Sequence, residues 1–255
     1  MIFLKRIKNF IKFKIKYSGP YKQWSDAKIR STGYNNKLIL KKVSETTLKV
    51  LRGKYLYERD SVGFNDCNVD KFFLKSVNYI NSHNINKLSI LDFGGSLGSK
   101  YFQHKKFFKK IKNFYWSIVE QKKYVEFGKK FINESNLFFF DKLNICLIKK
   151  NPNVCLISNS IQYTERPFHN LNAMTKAQIK FIIFLNLPIT DQDKDEIFVQ
   201  KVSKSIYNAS YPIWFFSKKK FFNFIKNKKF SLFKSEISRE TNYDKFKYYN
   251  FLFIK

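Results

Sequence analysis

The chain has 255 residues, a length that accommodates one α/β domain with an appendage. Hydrophobic residues make up 44% of it and aromatic residues 19%, which indicates a folded protein whose core is rich in large rings. The formal net charge of +30 would suit a nucleic-acid partner, but Lys outnumbers Arg 43 to 6, and Asn, Ile, Phe and Tyr are also abundant. This bias indicates AT-rich codons, and it disfavours nucleic acid as the partner without excluding it.

The three cysteines, Cys67, Cys146 and Cys155, are widely spaced and form no Cys-x-x-Cys pair, and the chain has only three histidines. This composition predicts a protein with reduced thiols and no metal site. The first residues lack the unbroken apolar region of a signal peptide, and no run approaches the roughly 20 apolar residues of a membrane span. We therefore expect a cytoplasmic protein that does not cross a membrane.

Residues 1–17 are basic and apolar, with helical spacing at Phe3, Ile7 and Phe10 that changes to strict alternation from Ile11. The favoured interpretation is a terminal helix that packs its apolar side on the protein. The alternative is peripheral contact between this segment and an anionic membrane surface at the inner membrane face.

Helical patterns dominate the segment that follows. One helix is predicted to start near Ser25, a second covers residues 36–52 and ends at Gly53, and a third covers residues 69–81. A polar loop is predicted between the last two. Residues 1–84 are therefore predicted to form a helical N-terminal extension or cap.

From Leu88 onward, short apolar runs alternate with helical stretches. The predicted strands are residues 88–93, 116–119, 137–140, 154–157 and 181–187. The predicted helices between them are residues 99–111, 124–133, 143–149 and 168–176. A further helix follows Ser217, and residues 230–237 and 246–254 then read as an antiparallel hairpin. This order predicts an α/β, doubly wound, mostly parallel Rossmann-like sheet over residues 85–255, of the class I methyltransferase type.

The turn after the first of these strands carries the clearest motif. Asp92 ends the strand, and the turn from Gly94 through Gly95 and Ser96 to Gly98 leads into a helix. The amides at the start of that helix would favour an anionic group such as the carboxylate of a bound methionine moiety. Glu120 follows Gly98 by 22 residues, which matches the acidic residue that binds ribose hydroxyls in nucleotide-binding folds.

The glycine positions separate two cofactor classes. A dinucleotide motif aligned on Gly95 and Gly98 would need glycine where Phe93 stands, which disfavours NAD and FAD. The methyltransferase pattern retains Asp92, Gly94 and Gly98 and departs from expectation only at Ser96. The sequence thus predicts S-adenosylmethionine (SAM) as the cofactor, against the alternative of a glycine turn with a purely structural role.

Other candidate site residues follow later strands. Gln121 lies beside Glu120, Asp141 stands where an adenine amino group would bind, and Ser158 opens the loop after the fourth strand. The candidates for contact with the methyl acceptor are Gln162, Tyr163, Gln200, Tyr211 and Trp214. The candidate general bases are His104, Glu165, His169 and Asp191, and no spacing selects one of them, so the catalytic residue is left open.

The chain resembles the class I methyltransferases encoded among bacterial surface-polysaccharide and glycan-modification genes. The resemblance rests on residues 17–21 with Trp24, and on residues 31–34, 57–62, 91–99, 101–102, 119–121, 160–163, 199–202, 209–212 and 214–216. It implies a SAM-binding methyltransferase fold. The chain departs from the family at Asn186-Leu187-Pro188, where a polar or charged residue is expected after the fifth strand.

The leading functional hypothesis is a methyltransferase that acts on a sugar, glycan precursor or other small molecule. Two alternatives stay open: an RNA methyltransferase that uses the +30 charge, and a non-catalytic scaffold that retains the fold. No Asn/Asp-Pro-Pro-aromatic tetrad follows the fourth strand, which disfavours methylation of a base amine. The sequence specifies neither the acceptor nor the oligomeric state.

Overall fold

A computed structural model describes residues 16–33, 37–66, 69–83, 86–202, 209–239 and 246–255. The helices are α1 (Trp24–Ile29), α2 (Lys37–Leu51), α3 (Lys71–Ser82), α4 (Ser99–Phe108), α5 (Lys122–Phe131), α6 (Leu143–Lys150), α7 (Pro167–Lys176) and α8 (Lys218–Asn227). The strands are β1 (Lys16–Tyr21), β2 (Tyr57–Arg59), β3 (Val62–Phe64), β4 (Leu88–Phe93), β5 (Phe114–Val119), β6 (Leu137–Phe140), β7 (Val154–Ser158), β8 (Phe181–Thr190), β9 (Glu196–Lys201), β10 (Ser210–Ser217), β11 (Ser231–Arg239) and β12 (Phe246–Ile254).

Five parallel strands form the centre of the main sheet in the order β6-β5-β4-β7-β8. The chain runs outward from β4 in both directions, so the strand order reverses between β4 and β7. In open α/β sheets a ligand crevice forms at such a reversal, outside the carboxyl ends of the strands. The predicted doubly wound fold class is therefore confirmed.

The C-terminal hairpin is also confirmed, and the structure shows how it joins the sheet. β12 pairs antiparallel with both β11 and β8, so the last strand of the chain lies inside the sheet and β11 forms its edge. A bulge interrupts the pairing of β12 with β8 between Tyr249 and Phe251. Asn250 occupies the bulge, and its side-chain oxygen accepts a hydrogen bond from the Asn186 amide at 2.9 Å.

Helices cover both faces of the sheet because successive buried residues of its strands point to opposite sides. On one face Ile90 and Trp116 pack with α2 to α5. On the other face Leu91 and Cys155 pack with α6 to α8. The result is a three-layer sandwich in which α2 and α3, from the predicted extension, share the core of the first face.

Several elements differ from the sequence-based predictions. Residues 17–21, for which the sequence predicts no strand, belong to β1, which pairs antiparallel with β9. The predicted polar loop at 57–61 is part of the hairpin β2–β3. β8 continues through Pro188 to Thr190, beyond its predicted end at residue 187. The last two residues of β10 pair with this continuation, and β10, β9 and β1 extend the sheet beyond the end of β7.

The predicted pattern for residues 1–17 falls mostly on residues outside the described ranges, as does Cys67. Within the described ranges, no helix is long and apolar enough to cross a membrane. No group of three potential metal-ligating side chains occurs among those residues either.

Candidate functional site

The glycine turn lies at the strand-order reversal, between the carboxyl ends of β4 and β7. Gly94 has a φ of +72°, and a Cβ built on it would lie 2.5 Å from the Cβ of Ser160. The Ser160 hydroxyl donates a hydrogen bond to the Phe93 carbonyl. Glycine is required here because the loop after β7 crosses directly against the turn.

Asp92 lies beneath the turn and is completely buried. Its Oδ2 accepts a hydrogen bond from the Trp116 indole at 3.1 Å, whereas its Oδ1 has no hydrogen-bond partner within the described part of the chain. A Cβ on Gly95 would lie 2.3 Å from Oδ2. Burial raises the pKa of Asp92 to about 7, and the nearby charge of Glu120 adds a smaller upward contribution.

Ser96 occupies the position where the methyltransferase pattern has its middle glycine, and its φ is +54°. Side chains rarely adopt this left-handed conformation, which explains why glycine is usual at this position. Gly98 has a φ of +95° and forms the N-cap of α4. The turn therefore has left-handed backbone at positions 96 and 98, where the methyltransferase pattern has glycine, although position 96 is a serine in this chain.

Glu120 directly follows β5 and contacts the turn. Its carboxylate accepts hydrogen bonds from the backbone amides of Gln121 and Ser96. Burial raises its pKa, and these two hydrogen bonds act in the opposite direction. The structure thus brings Asp92, Ser96 and Glu120 to one place, as the spacing of the motif predicts.

The other predicted cofactor residues lie at ends of neighbouring elements. Gln121 is half-buried and is the N-cap of α5. Asp141 directly follows β6 and is exposed, whereas Ser158 is half-buried at the end of β7. Their roles stay predictions.

Three of the predicted acceptor residues, Tyr163, Gln200 and Tyr211, form a connected group at the loop that follows β7. The Tyr163 hydroxyl donates to Gln200 Oε1 at 3.1 Å, and Gln200 Nε2 donates to the Tyr211 hydroxyl at 3.5 Å. The two tyrosine rings meet edge to face with their centroids 5.0 Å apart. Trp214 lies further along β10, where its indole donates to the Thr164 carbonyl at 3.0 Å. Strands β9 and β10 therefore approach the loop that follows β7.

Gln162 is fully buried in the short 3₁₀ turn Ile161–Tyr163. Its Nε2 donates to Asn159 Oδ1 at 2.8 Å and to the Asn186 carbonyl at 3.4 Å. Its Oε1 has no hydrogen-bond partner among the described residues. Asn159 and Asn186 have φ values of +52° and +55°, so the backbone is left-handed just after the end of β7 and at the neighbouring point within β8.

The candidate bases do not converge on the site. His104 is buried, its Nε2 accepts a hydrogen bond from the Asp70 amide, and its Nδ1 contacts the Lys100 carbonyl at 2.9 Å. Burial lowers its pKa to about 4. Nε2 therefore links α4 to the start of α3, and Nδ1 bonds within α4, so both ring nitrogens are engaged, which disfavours His104 as the general base. Glu165, His169 and Asp191 are exposed.

Sequence-based prediction missed Glu58, which it placed in a polar loop. Glu58 is buried on β2, and its Oε2 accepts a hydrogen bond from the Ser99 hydroxyl at 2.7 Å. Burial raises its pKa to about 7. The pair Asp60-Ser61 could have indicated the hairpin that carries Glu58, because these two residues form its turn, with φ values of +52° and +67°.

Comparisons with known proteins agree with this architecture. No family model matches the chain, and no curated protein matches it in sequence. The N-terminal domain of EvdMO1, crystallised in the presence of S-adenosylhomocysteine (SAH) and D-fucose, is similar with a TM-score of 0.52 and 9% identity, over 86% of this chain and 97% of that domain. A SAM-dependent methyltransferase from Methanosarcina mazei gives a TM-score of 0.50 and 8% identity, over 69% of this chain and 96% of that protein. The chain therefore has a Rossmann-like methyltransferase fold.

Proposed function

We propose that this protein is a SAM-dependent methyltransferase that acts on a sugar or glycan precursor. The observation that carries the proposal is the glycine turn itself, with buried Asp92 beneath Gly95 and the Glu120 carboxylate bound to the Ser96 amide. This turn lies at the strand-order reversal, where ligands of open α/β folds bind.

The residues at the turn fit the proposed cofactor. Asp92 Oδ1 is a buried acceptor without a partner in the described part of the chain, and glycine at positions 94 and 95 lets Ser160 and the Asp92 carboxyl group pack directly against the turn. Glu120 supplies a carboxylate of the kind that accepts hydrogen bonds from both hydroxyls of a ribose. Asp141, at the next strand end, would accept from the adenine amino group.

The charge around the turn also suits this cofactor. In a chain with a net charge of +30, the carboxyl groups of Asp92, Glu120 and Glu58 all lie beneath or beside the turn. SAM has two positive groups, a sulfonium and an ammonium. Buried carboxyl groups near a cationic ligand gain interaction energy because the interior screens charge weakly.

When bound, SAM supplies an electrophilic methyl group that an acceptor can attack in line. The residues of this chain would hold the two reactants close and aligned, which can provide much of the rate enhancement. Tyr163 is half-buried and is braced by the buried Gln200 and Tyr211, and it provides a hydroxyl together with an aromatic face. These are groups that hydrogen-bond to sugar hydroxyls and pack on sugar rings.

The sugar acceptor is also supported by the EvdMO1 domain, which has the same fold and was crystallised in the presence of D-fucose. RNA is the second candidate, and the net charge of +30 is the observation that favours it. The predominance of Lys over Arg disfavours it, because Arg is the residue suited to bidentate recognition of phosphates and bases.

Equilibrium dialysis with labelled SAM tests the cofactor assignment. We expect saturable binding that SAH displaces and NAD does not. Glu120→Ala should weaken binding at least about tenfold, because it removes the predicted ribose contact. Absence of SAM binding by folded wild-type protein would exclude the proposed function.

Transfer of a labelled methyl group tests the acceptor. We expect label in sugars or glycan precursors and none in RNA of mixed sequence. Gln200→Leu should reduce transfer while leaving SAH affinity unchanged, because Gln200 contacts the acceptor group of residues and not the turn. Label in RNA alone would favour the second candidate, and binding without transfer to any acceptor would favour the scaffold.

A further inference from the structure

The hairpin β2–β3, which lies outside the central parallel strands, holds the Glu58 side chain beside the first residue of α4. Glu58 lies on β2, and its Oε1 accepts a hydrogen bond from the Ser61 amide at 2.8 Å, across the turn of the hairpin. The Ser61 carbonyl in turn accepts from the Thr46 hydroxyl of α2 at 2.9 Å. Only 4% of Glu58 is exposed. The hairpin β2–β3 therefore fixes this carboxyl group in place.

The partners of Glu58 are neutral. Its two oxygens accept from the Ser61 amide and the Ser99 hydroxyl, and no cationic side chain forms an ion pair with it within the described part of the chain. A buried carboxylate without a cationic partner is costly, and the raised pKa of Glu58 reflects that cost. Lys100, the residue after Ser99, has its ammonium paired with Asp70 at 2.8 Å.

The position of Glu58 changes the expectation for the amino-acid end of the cofactor. Ser99 is the first residue of α4 and directly follows Gly98 of the turn. The sequence predicts that a ligand carboxylate binds at this helix start, but the protein already places a carboxyl group of its own there. Asp92 gives an independent indication of a ligand, because its buried Oδ1 lies under the same turn without a partner among the described residues.

We infer that the Glu58 carboxylate pairs with the ammonium at the amino-acid end of bound SAM. The Ser99 hydroxyl holds the Glu58 carboxylate in position. This inference rests on the proposed function. It adds a binding residue from the N-terminal hairpin to a site otherwise built from the ends of the central strands. The hairpin thereby selects ligands that retain an amino acid over bare nucleosides.

Calorimetric titration of Glu58→Gln with three ligands tests the inference. SAM has an ammonium and a sulfonium, SAH has the ammonium alone, and 5′-methylthioadenosine has neither. We expect SAM and SAH each to bind roughly tenfold or more weakly than to wild type, with the affinity for 5′-methylthioadenosine unchanged. Equal losses for all three ligands, or no loss for SAH, would overturn the inference, and a loss for SAM alone would assign Glu58 to the sulfonium instead.

Two controls keep the outcomes separate. Glu134→Gln changes a carboxyl group that is only partly buried, that is paired with Lys105 and that accepts from the Tyr101 hydroxyl at 3.0 Å, and it should leave all three affinities unchanged. Wild-type protein should bind deamino-SAH, which retains the carboxylate, about tenfold more weakly than SAH. Equal affinity for these two ligands overturns the inference even if Glu58→Gln does not fold. If folded wild-type protein binds neither SAM nor SAH, the proposed function, on which the inference rests, would be overturned instead.

Discussion

Backbone conformation and close contacts limit which residue types can occupy each position of the glycine turn. Gly94, Ser96 and Gly98 all have positive φ values, while Gly95 is limited by the Asp92 carboxyl group beneath it. The sequence allowed the positions of Asp92 and Glu120 at this turn to be predicted, because a strand, a turn and a helix leave little freedom to the residues between them. Glu58 could not be predicted in the same way, since its burial depends on a hairpin that packs against α2 and against α4, whose Ser99 lies 41 residues further along the chain.

The first prediction concerns Gly95. Gly95→Ala would place a Cβ 2.3 Å from Asp92 Oδ2, so we expect a loss of stability together with at least a tenfold loss of SAH affinity. Gly53→Ala is the control, because Gly53 has a φ of +75° but no atom within 4 Å of the added Cβ. It should cost about 1 kcal/mol of stability and leave SAH affinity unchanged. Urea unfolding and calorimetry measure the two quantities, and unchanged SAH binding by Gly95→Ala would contradict the account.

The second prediction concerns the pH dependence of stability. Burial raises the pKa of Asp92 from 3.8 to about 7, so the folded state holds this proton more tightly than the unfolded state. The resulting stabilisation is complete below about pH 4 and is lost as the pH rises through about 7. Asp92→Asn cannot ionise, and it should therefore gain stability relative to wild type by up to about 1.4 kcal/mol per pH unit within that window.

Urea unfolding at pH 5, 6, 7 and 8 measures this difference. Asp141→Asn is the matched control, because Asp141 is exposed and its variant should follow the wild-type curve. Parallel curves for Asp92→Asn and wild type would show that the carboxyl group is not buried as described.

At the scale of elements, the alternation of strands and helices after residue 88 was predictable from apolar runs of the correct length. The strands β1 and β10 were not, because they contain Pro20 and Pro212, and β1 also contains Gly19; β9 pairs with these two strands and was missed with them. Residues of these types are poor indicators of strands. Their pairing is specified by contacts between distant parts of the chain, such as the 2.8 Å hydrogen bond between the Tyr17 and Tyr248 hydroxyls.

The Asn250 side chain bonds across the bulge between β8 and β12. Asn250 is buried, and Asn250→Ala would leave the Asn186 amide without its partner at the register shift between the two strands. We expect a loss of about 1–3 kcal/mol in the free energy of unfolding. Glu236, which accepts from Asn250 Nδ2 at 3.0 Å, is exposed, so Glu236→Ala should change stability by less than about 0.5 kcal/mol. Similar losses in the two variants would argue against a specific role for the bulge.

At the scale of the whole molecule, the net charge of +30 acts against the folded state. Like charges repel more strongly in the compact chain than in the unfolded chain, and salt screens this repulsion. Raising NaCl from 20 to 300 mM at pH 7 should therefore increase the free energy of unfolding, by on the order of 1 kcal/mol. Urea unfolding at the two salt concentrations measures the change, and a decrease with salt would show that attractive ion pairs outweigh the repulsion.

The fold as a whole joins a sheet built from residues 88–254 to an N-terminal segment that supplies both Glu58 and the edge strand β1. This arrangement encloses the glycine turn on the side of α4 and places β9 and β10 beside the loop after β7. The central claim is that this turn binds the methyl donor.

A crystal structure of the protein grown with SAH tests this claim most directly. The account predicts SAH over the turn from Gly94 to Gly98, with its ribose hydroxyls within hydrogen-bond distance of the Glu120 carboxylate. SAH bound elsewhere on the protein, or a ribose that makes no contact with Glu120, would contradict it.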